Sequence, residues 1–415
     1  MSLNQTPRAN RIHIGLYGKR NSGKSSIINA LTGQQVAIVS DYAGTTTDPV
    51  YKAMELYPIG PVVFIDTAGF DDTGEIGKLR VEKTEEAVKK TDIAVLVFSC
   101  SNSVESCFAC EAGGEGYDCF NFEKEWYEKL KLKKTPVICV LNKCDLLTEK
   151  QVENFVEAIK REFQTVPVII SAEKKQGMDK LKDSIVRNIP ESYEMKSITG
   201  DIVKKGDVVM LVMPQDIQAP KGRLILPQVQ TLRDLLDKGC IPICTTADNL
   251  ESTLASLKEP PTVIITDSQC FAAVYEKKPK ESLLTSFSVL FAAYKGDIDT
   301  FVRGAKAIES LTEKSRVLIA EACTHAPLEE DIGRVKIPKA LRKRVGEMLK
   351  VDIVAGQDFP QELSQYDLII HCGGCMFNRR YMMSRIESAV AQGVPITNYG
   401  VTMAYLTGIL DKISL

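Results

Sequence analysis

Ile12-His-Ile-Gly-Leu-Tyr-Gly-Lys-Arg-Asn-Ser-Gly-Lys-Ser25 joins a run of strand character to the pattern GxxxxGK[ST], spanning Gly18 to Ser25. Glycines in that pattern let successive backbone N–H groups curl around phosphates where a helix begins, and the helix dipole adds to the attraction. Ser26-Ile-Ile-Asn-Ala-Leu-Thr32 has helical character, so the loop has the strand before it and the helix after it that the motif requires. Lys24 is expected to reach the β- and γ-phosphates and Ser25 to hold Mg²⁺. Asn21, Ser22, Gly23 and Ser26 fall in the same nucleotide-binding loop. His13, inside the strand, reads as a packed side chain. The fold implied is α/β, a P-loop NTPase with a largely parallel sheet.

Outward from this loop, Asn142-Lys-Cys-Asp145 follows the strand-like Val137-Ile-Cys-Val-Leu141, as NKxD does in GTPases. A carboxylate at Asp145 accepts from both N1–H and the 2-amino group of guanine. Adenine has neither donor there, so a buried carboxylate rejects it by being left unpaired. Asn142 and Lys143 belong to the same base site. Asp66-Thr-Ala-Gly69 follows Val62-Val-Phe-Ile65, with Asp66 expected near Mg²⁺ and Gly69 at the γ-phosphate. Ser171-Ala172 follows Val168-Ile-Ile170 as the last guanine loop. These motifs stand in the order a GTPase needs.

Gly44-Thr-Thr-Thr-Asp48 lies between the P-loop and Asp66, where the first switch belongs. The series resembles the bacterial GTPases of the tRNA-modification and Era types, and that resemblance makes Thr46 the Mg²⁺-sensing threonine, with Thr45 as the alternative. The residue after Gly69 is Phe70, which cannot orient water as the glutamine of Ras-like enzymes does. Asn21 matches the asparagine that holds a potassium ion in K⁺-stimulated relatives. The expectation is therefore a slow, K⁺-stimulated GTPase whose catalytic residues are Asn21, Lys24, Thr46 and Asp66. The segment from Asp71 to Lys90 is where switch II should move when the γ-phosphate leaves.

A chain of 415 residues has room for two or three domains. Lys and Arg number 52 against 54 Asp and Glu, a balance that argues against nucleic acid or an anionic membrane as a partner. No apolar run reaches a membrane span. The first residues lack the apolar core of a signal peptide. Twelve cysteines without an export signal suit a cytoplasmic protein that keeps its thiols reduced, for metal or buried. Four of them, Cys100, Cys107, Cys110 and Cys119, enclose Glu111-Ala-Gly-Gly-Glu-Gly116 and read as an insertion, either a second metal site or a surface loop with incidental thiols.

Past Tyr193 the alternation of strand and helix signals resumes. Asp207-Val-Val-Met-Leu-Val-Met213, a helix from Pro227 to Lys238 closed by Gly239, Ile241-Pro-Ile-Cys-Thr245 and Thr262-Val-Ile-Ile-Thr266 read as a small α/β unit without acid–base chemistry. Further on, Arg316-Val-Leu-Ile-Ala320 runs into Glu321-Ala-Cys-Thr-His325. Tyr366-Asp-Leu-Ile-Ile370 runs into His371-Cys-Gly-Gly-Cys375. If both runs are parallel strands, the two half-sites meet at strand carboxyl ends, where such sheets place ligands. The thiols of Cys323, Cys372 and Cys375, with two of the chain's three histidines, His325 and His371, would then converge. Thiolates favour iron–sulfur or zinc over hard cations. A helix from Asn378 to Gln392 would aim its N-terminal dipole at the centre.

The pattern Cys-x-His, then forty-five residues, then His-Cys-x-x-Cys resembles the cluster motif of the [FeFe]-hydrogenase maturation GTPases, the HydF family. The resemblance covers the chain except the insertion at 100–120. It implies a P-loop GTPase domain at 8–193, a dimerisation α/β domain at 196–281, and a cluster-binding α/β domain with a parallel sheet at 282–415. It further implies a [4Fe–4S] cluster on Cys323, Cys372 and Cys375, whose exchangeable fourth ligand is left among His325, His371, Glu329 and Glu330. GTP or GDP, Mg²⁺ and K⁺ would be the other cofactors. The partners implied are a second copy of the chain, two radical-SAM maturases and the immature hydrogenase, for which the protein assembles or delivers a di-iron subcluster. The competing reading is a ribosome- or tRNA-associated GTPase with a zinc-stabilised appendage.

Overall fold

The computed structural model describes residues 7–32, 49–69, 75–99 (75–80 as backbone only), 120–190, 197–214, 224–267, 270–322, 331–356 and 358–413. Thr45, Thr46, Phe70, Cys323, His325, Glu329, Glu330 and the four cysteines of the insertion lie outside the described residues. The chain forms two compact units, Met1–Met195 and Lys196–Leu415.

The first unit is built on strands β1 (Ile12–Gly18), β2 (Val50–Leu56), β3 (Gly60–Asp66), β4 (Ile93–Ser99), β5 (Val137–Asn142) and β6 (Val168–Ile169). They lie in the order β2-β3-β1-β4-β5-β6, and only β2 runs antiparallel to its neighbour. β1 and β4 are apolar along nearly their whole length because helices cover both faces of the sheet. Alternate residues serve opposite faces. Leu16, Val95 and Val97 join one apolar cluster with Ile27 and Ile28. Tyr17, Leu96 and Phe98 join the other with Trp126 and Phe163. His13 is buried, with its Nδ1 2.9 Å from the Arg11 carbonyl, and plays a packing part in β1. The carboxyl ends of β1, β3 and β5 carry the P-loop, Asp66 and Asn142 to one edge.

The second unit holds two parallel four-stranded sheets. One contains β7 (Val208–Val212), β8 (Ile241–Thr245), β9 (Val263–Thr266) and β10 (Leu283–Ser286), in the order β10-β9-β7-β8. The other contains β11 (Arg316–Glu321), β12 (Lys350–Ala355), β13 (Leu368–His371) and β14 (Ile396–Asn398), in the order β12-β11-β13-β14. A single apolar cluster takes Met210, Val212 and Ile264 from the first of these sheets and Leu318, Ile369 and Ile396 from the second. Val289 and Phe301, from the helices Phe287–Lys295 and Ile298–Lys306, belong to the same cluster.

Local chemistry sets the helix starts. Asp297, Asn378 and Asn398 each accept an N–H from the third residue of the helix they open, a cap worth about 1 kcal/mol. The helix that opens at Arg379 is tied to the helix Phe287–Lys295 by that arginine. Its Nη1 donates to the carbonyls of Tyr294 and Gly296, 2.9 and 2.7 Å away, at the carboxyl end where a cation is favoured.

Candidate functional site

Hydrogen bonds join the nucleotide loops to one another. The P-loop leaves β1 with Asn21 at φ +58° and Gly23 at φ +90°. A Cβ on Gly23 would stand 2.2 Å from Nδ2 of Asn142, so glycine is needed for both backbone and space. Asn142 is almost fully buried, and its amide joins two loops. Nδ2 donates to the Ser22 carbonyl at 2.9 Å, and Oδ1 accepts the Ala172 N–H at 3.1 Å. The Cys144 N–H donates to the Ile170 carbonyl at 3.2 Å, which brings the Asp145 turn beside Ser171. Ser171 is buried, and its hydroxyl accepts the Lys174 N–H at 3.1 Å. Lys143 sits at φ +63°, opening the turn that carries Asp145.

Lys24 Nζ curls back to donate to the carbonyls of Gly18 and Lys19, both at 2.9 Å. Ser25 Oγ donates to Asp66 Oδ2 at 2.5 Å, so the two groups expected around Mg²⁺ already touch. Burial raises the Asp66 carboxyl above its ordinary range, while Ser25 and the Lys24 charge oppose the rise. Gly69 lies against the Arg20 backbone. Among the described residues, Ser22 Oγ and Asp145 Oδ1 are buried without a hydrogen-bond partner. Buried polar atoms are rarely left so. A nucleotide supplies what both lack, phosphate oxygens beside Ser22 and guanine donors beside Asp145. These groups fit GTP, and Ser25 and Asp66 are the residues expected to hold its Mg²⁺.

In the second unit the two cysteine half-sites end adjacent parallel strands. Ala320 pairs with His371 in register. The Cys372 N–H donates to the Ala320 carbonyl at 2.9 Å, and the Ala322 N–H donates to Cys372 Sγ at 3.0 Å. Ala322 immediately precedes Cys323, so the backbone leading to Cys323 begins at the Cys372 sulfur. Gly374 takes φ +63° in the turn between Cys372 and Cys375, and both cysteines are partly exposed. Among the described residues no three His, Cys, Asp or Glu side chains converge, Cys323 and His325 lying outside them. Soft sulfur donors on one turn, with an N–H directed at one of them, suit a thiolate-bound metal centre such as iron–sulfur.

His371 has a different setting from Cys372 and Cys375. It is fully buried, and both ring nitrogens are engaged. Nε2 lies 2.9 Å from Arg385 Nη1, and Nδ1 lies 2.9 Å from the Cys372 carbonyl. Burial, then the Arg385 charge, push its pKa down to about 3, so the ring is neutral. As placed, neither nitrogen is open to a metal, and this argues against His371 among the fourth-ligand alternatives. On the other side of Cys372, Glu321 Oε2 accepts from Arg334 Nε and Nη2 at 3.0 and 2.7 Å. Tyr399 donates to Oε1 at 3.3 Å. Burial first, then the charges of Cys372 and Glu321, raise the Tyr399 phenol and keep it protonated. Sequence reasoning missed Arg385, Arg334 and Tyr399. Arg385 had a signal: it sits three residues after Met382 and four before Ala389, on the buried face of the helix Arg379–Ala391.

Three family models match the chain in succession. One described as a 50S ribosome-binding GTPase covers residues 13–143. The hydrogen maturase F dimerization domain covers 198–296, and the hydrogen maturase F tetramerization domain covers 299–414. Over 200 residues the chain is 36% identical to a GTPase Der of Wolinella succinogenes, a match that takes in 45% of this chain and 39% of that protein. It is also 36% identical over 178 residues to a tRNA modification GTPase MnmE of Endomicrobium trichonymphae, covering 42% of this chain and 35% of that one. The chain thus spans well under half the length of these curated relatives. A crystal structure of Era in complex with MgGDPNP and a 16S ribosomal RNA fragment is similar at TM-score 0.36 and 20% identity, covering 56% of this chain and 91% of that one.

Proposed function

The chain belongs to the HydF-type hydrogenase maturation GTPases, and from that premise we propose that it is a GTP-hydrolysing scaffold that assembles or delivers the di-iron subcluster of [FeFe]-hydrogenase. The observation that carries the reading is the Ala322 N–H on Cys372 Sγ, at the ends of paired strands. Cys323, Cys372 and Cys375 would hold a [4Fe–4S] cluster. When bound, that cluster supplies an iron with one exchangeable ligand position, where a metal fragment can be received and released. The competing zinc-bearing, RNA-associated reading draws its support from the amino-terminal part alone, where a 50S ribosome-binding GTPase model matches 13–143; the chain's charge is near balance, and Hydrogen maturase F models match 198–296 and 299–414.

In the amino-terminal part, 8–193, the P-loop amides and Lys24 bind and orient the phosphates, Ser25 and Asp66 hold Mg²⁺, and Asp145 selects guanine. Electrostatic stabilisation of the transferring phosphoryl group carries most of such catalysis. With no glutamine after Gly69, hydrolysis is slow and stimulated by K⁺ held at Asn21; equal rates in K⁺ and Na⁺ would remove this part of the reading. The region 196–281, whose sheet is completed by β10 just beyond it, joins two copies, and the family's dimerization and tetramerization models support self-assembly. The cluster lies in 282–415, and the partners are two radical-SAM maturases and the immature hydrogenase. The protein works in the cytoplasm beside those partners. Among the described residues no helix is long and apolar enough to cross a membrane.

The test is activation. The reconstituted chain, incubated anaerobically with both maturases and their substrates and then re-isolated, should switch on immature hydrogenase. A Cys375→Ser variant carried through the same steps should not. Equal activation by both would refute delivery from this site.

A further inference from the structure

Beneath the Cys372–Cys375 turn lies a polar pair enclosed in apolar surroundings. His371 is fully buried and Arg385 is 3% exposed. A guanidinium can only donate, so the 2.9 Å contact between Arg385 Nη1 and His371 Nε2 makes Nε2 the acceptor. The ring proton then sits on Nδ1, from which it donates to the Cys372 carbonyl at 2.9 Å. The tautomer and the ring plane are fixed from both sides.

Arg385 is itself held from several directions. Its Nη2 donates to the Gly356 carbonyl at 2.6 Å, at the carboxyl end of β12. Its guanidinium carbon lies 4.7, 4.6 and 4.8 Å from the ring centres of Phe359, Phe377 and Tyr381. Cation–π contact and shape confine it there. Phe377 is two residues past Cys375, so the cage is part of the same turn. Swinging Nε2 onto a metal would take the acceptor from a buried cation, and it would release the Cys372 carbonyl as the ring turned.

We propose that Arg385 and His371 are a positioning pair that fixes the Cys372–Cys375 turn and withholds the imidazole from the cluster, leaving the fourth iron position to a group outside the pair. The inference rests on the cluster reading above, and two readouts separate the fate of one from the other. In the first, full-length protein with ¹⁵N-histidine is reconstituted anaerobically, reduced and examined by pulsed EPR, beside a His371→Gln variant. The expected spectra of the two are the same in directly bound nitrogen coupling. A coupling present in the unaltered protein and lost in His371→Gln would overturn the proposal. The second readout needs no metal. Melting temperatures of the metal-free protein are compared for Arg385→Met, His371→Gln and the double variant, with Arg385→Lys in place of Arg385→Met should the latter not fold. A coupled pair predicts that the double melts no lower than the worse single; fully additive losses would overturn it. If no variant and not even the unaltered chain takes up iron, the cluster reading falls, and the melting cycle alone decides whether the pair exists.

Discussion

Asn142 joins the P-loop to the loop at Ala172, and replacing it by alanine tests whether the nucleotide loops are preassembled. The change removes the donor to the Ser22 carbonyl and the acceptor for the Ala172 N–H, at 2.9 and 3.1 Å. Ser22 is 1% exposed and Ala172 8%, so both stranded groups stay largely out of water. Each unmet buried group costs about 1–3 kcal/mol. Water entering the vacated space would offset part of this, leaving about 2–4 kcal/mol lost from the first unit. Loops no longer pinned to each other must be ordered by the ligand instead, so GDP should bind about 10–100-fold more weakly, that is by about 1.4–2.8 kcal/mol. Gly23→Ala should reproduce the loss in affinity, because its Cβ would fall 2.2 Å from Asn142 Nδ2. The assay is thermal unfolding with and without GDP, joined to titration with a fluorescent GDP analogue. An Asn142→Ala protein that melts like the unaltered chain and binds GDP within about twofold of it would refute preassembly.

Asp145→Asn should weaken GTP at least about 100-fold and restore binding to xanthosine triphosphate, whose 2-oxo group accepts from the new amide; competition binding reads both, and unchanged GTP affinity would place guanine elsewhere. In the metal-free protein His371 carries a folded pKa of about 3, below the ordinary histidine value of 6.5. Its unfolded form therefore takes a proton first, so its contribution is intact above about pH 6.5 and declines by about 1.4 kcal/mol per unit as the pH falls toward 3. Denaturant melts from pH 7 to 5 should thus steepen by about 2 kcal/mol relative to His371→Gln, and parallel curves would contradict the buried neutral ring. Arg379→Ala removes the donor to the carbonyls of Tyr294 and Gly296 and should cost about 1–3 kcal/mol in unfolding of the second unit, with GDP binding untouched.

Much of this architecture can be read from sequence because strands buried on both faces announce themselves as unbroken apolar runs. β1, β4, β5, β9 and β11 are of that kind, and the motifs follow from their carboxyl ends. Three strands escape such reading. β2, Val50-Tyr-Lys-Ala-Met-Glu-Leu56, mixes polar and apolar residues because it is a half-exposed antiparallel edge. β10, Leu283-Leu-Thr-Ser286, and β14, Ile396-Thr-Asn398, are short and half polar or more, so neither forms an apolar run. The cluster joining both carboxyl-terminal sheets is invisible for another reason. It depends on which face Val289 and Phe301 turn toward, and that is settled by tertiary packing.

The candidate sites divide in the same way. Residues that meet a ligand through a motif, such as Lys24, Ser25 and Asp145, stand out by spacing. Residues that hold those residues do not. Asn142 is conspicuous in NKxD, yet nothing in its spacing reveals that its amide joins Ser22 to Ala172. His371 looks like a ligand beside Cys372 until Arg385, fourteen residues away, is seen to occupy its second nitrogen. Nor does the sequence show that Arg334 and Tyr399 take both oxygens of Glu321.

The most direct test of the central claim is metal and sulfide analysis with EPR, after anaerobic reconstitution of the unaltered chain and of Cys372→Ser. The scaffold reading predicts a reducible [4Fe–4S] signal in the first and its loss in the second, with the protein still folded and binding GDP. Stoichiometric zinc without an iron signal would contradict it, leaving a GTPase whose carboxyl-terminal site is structural.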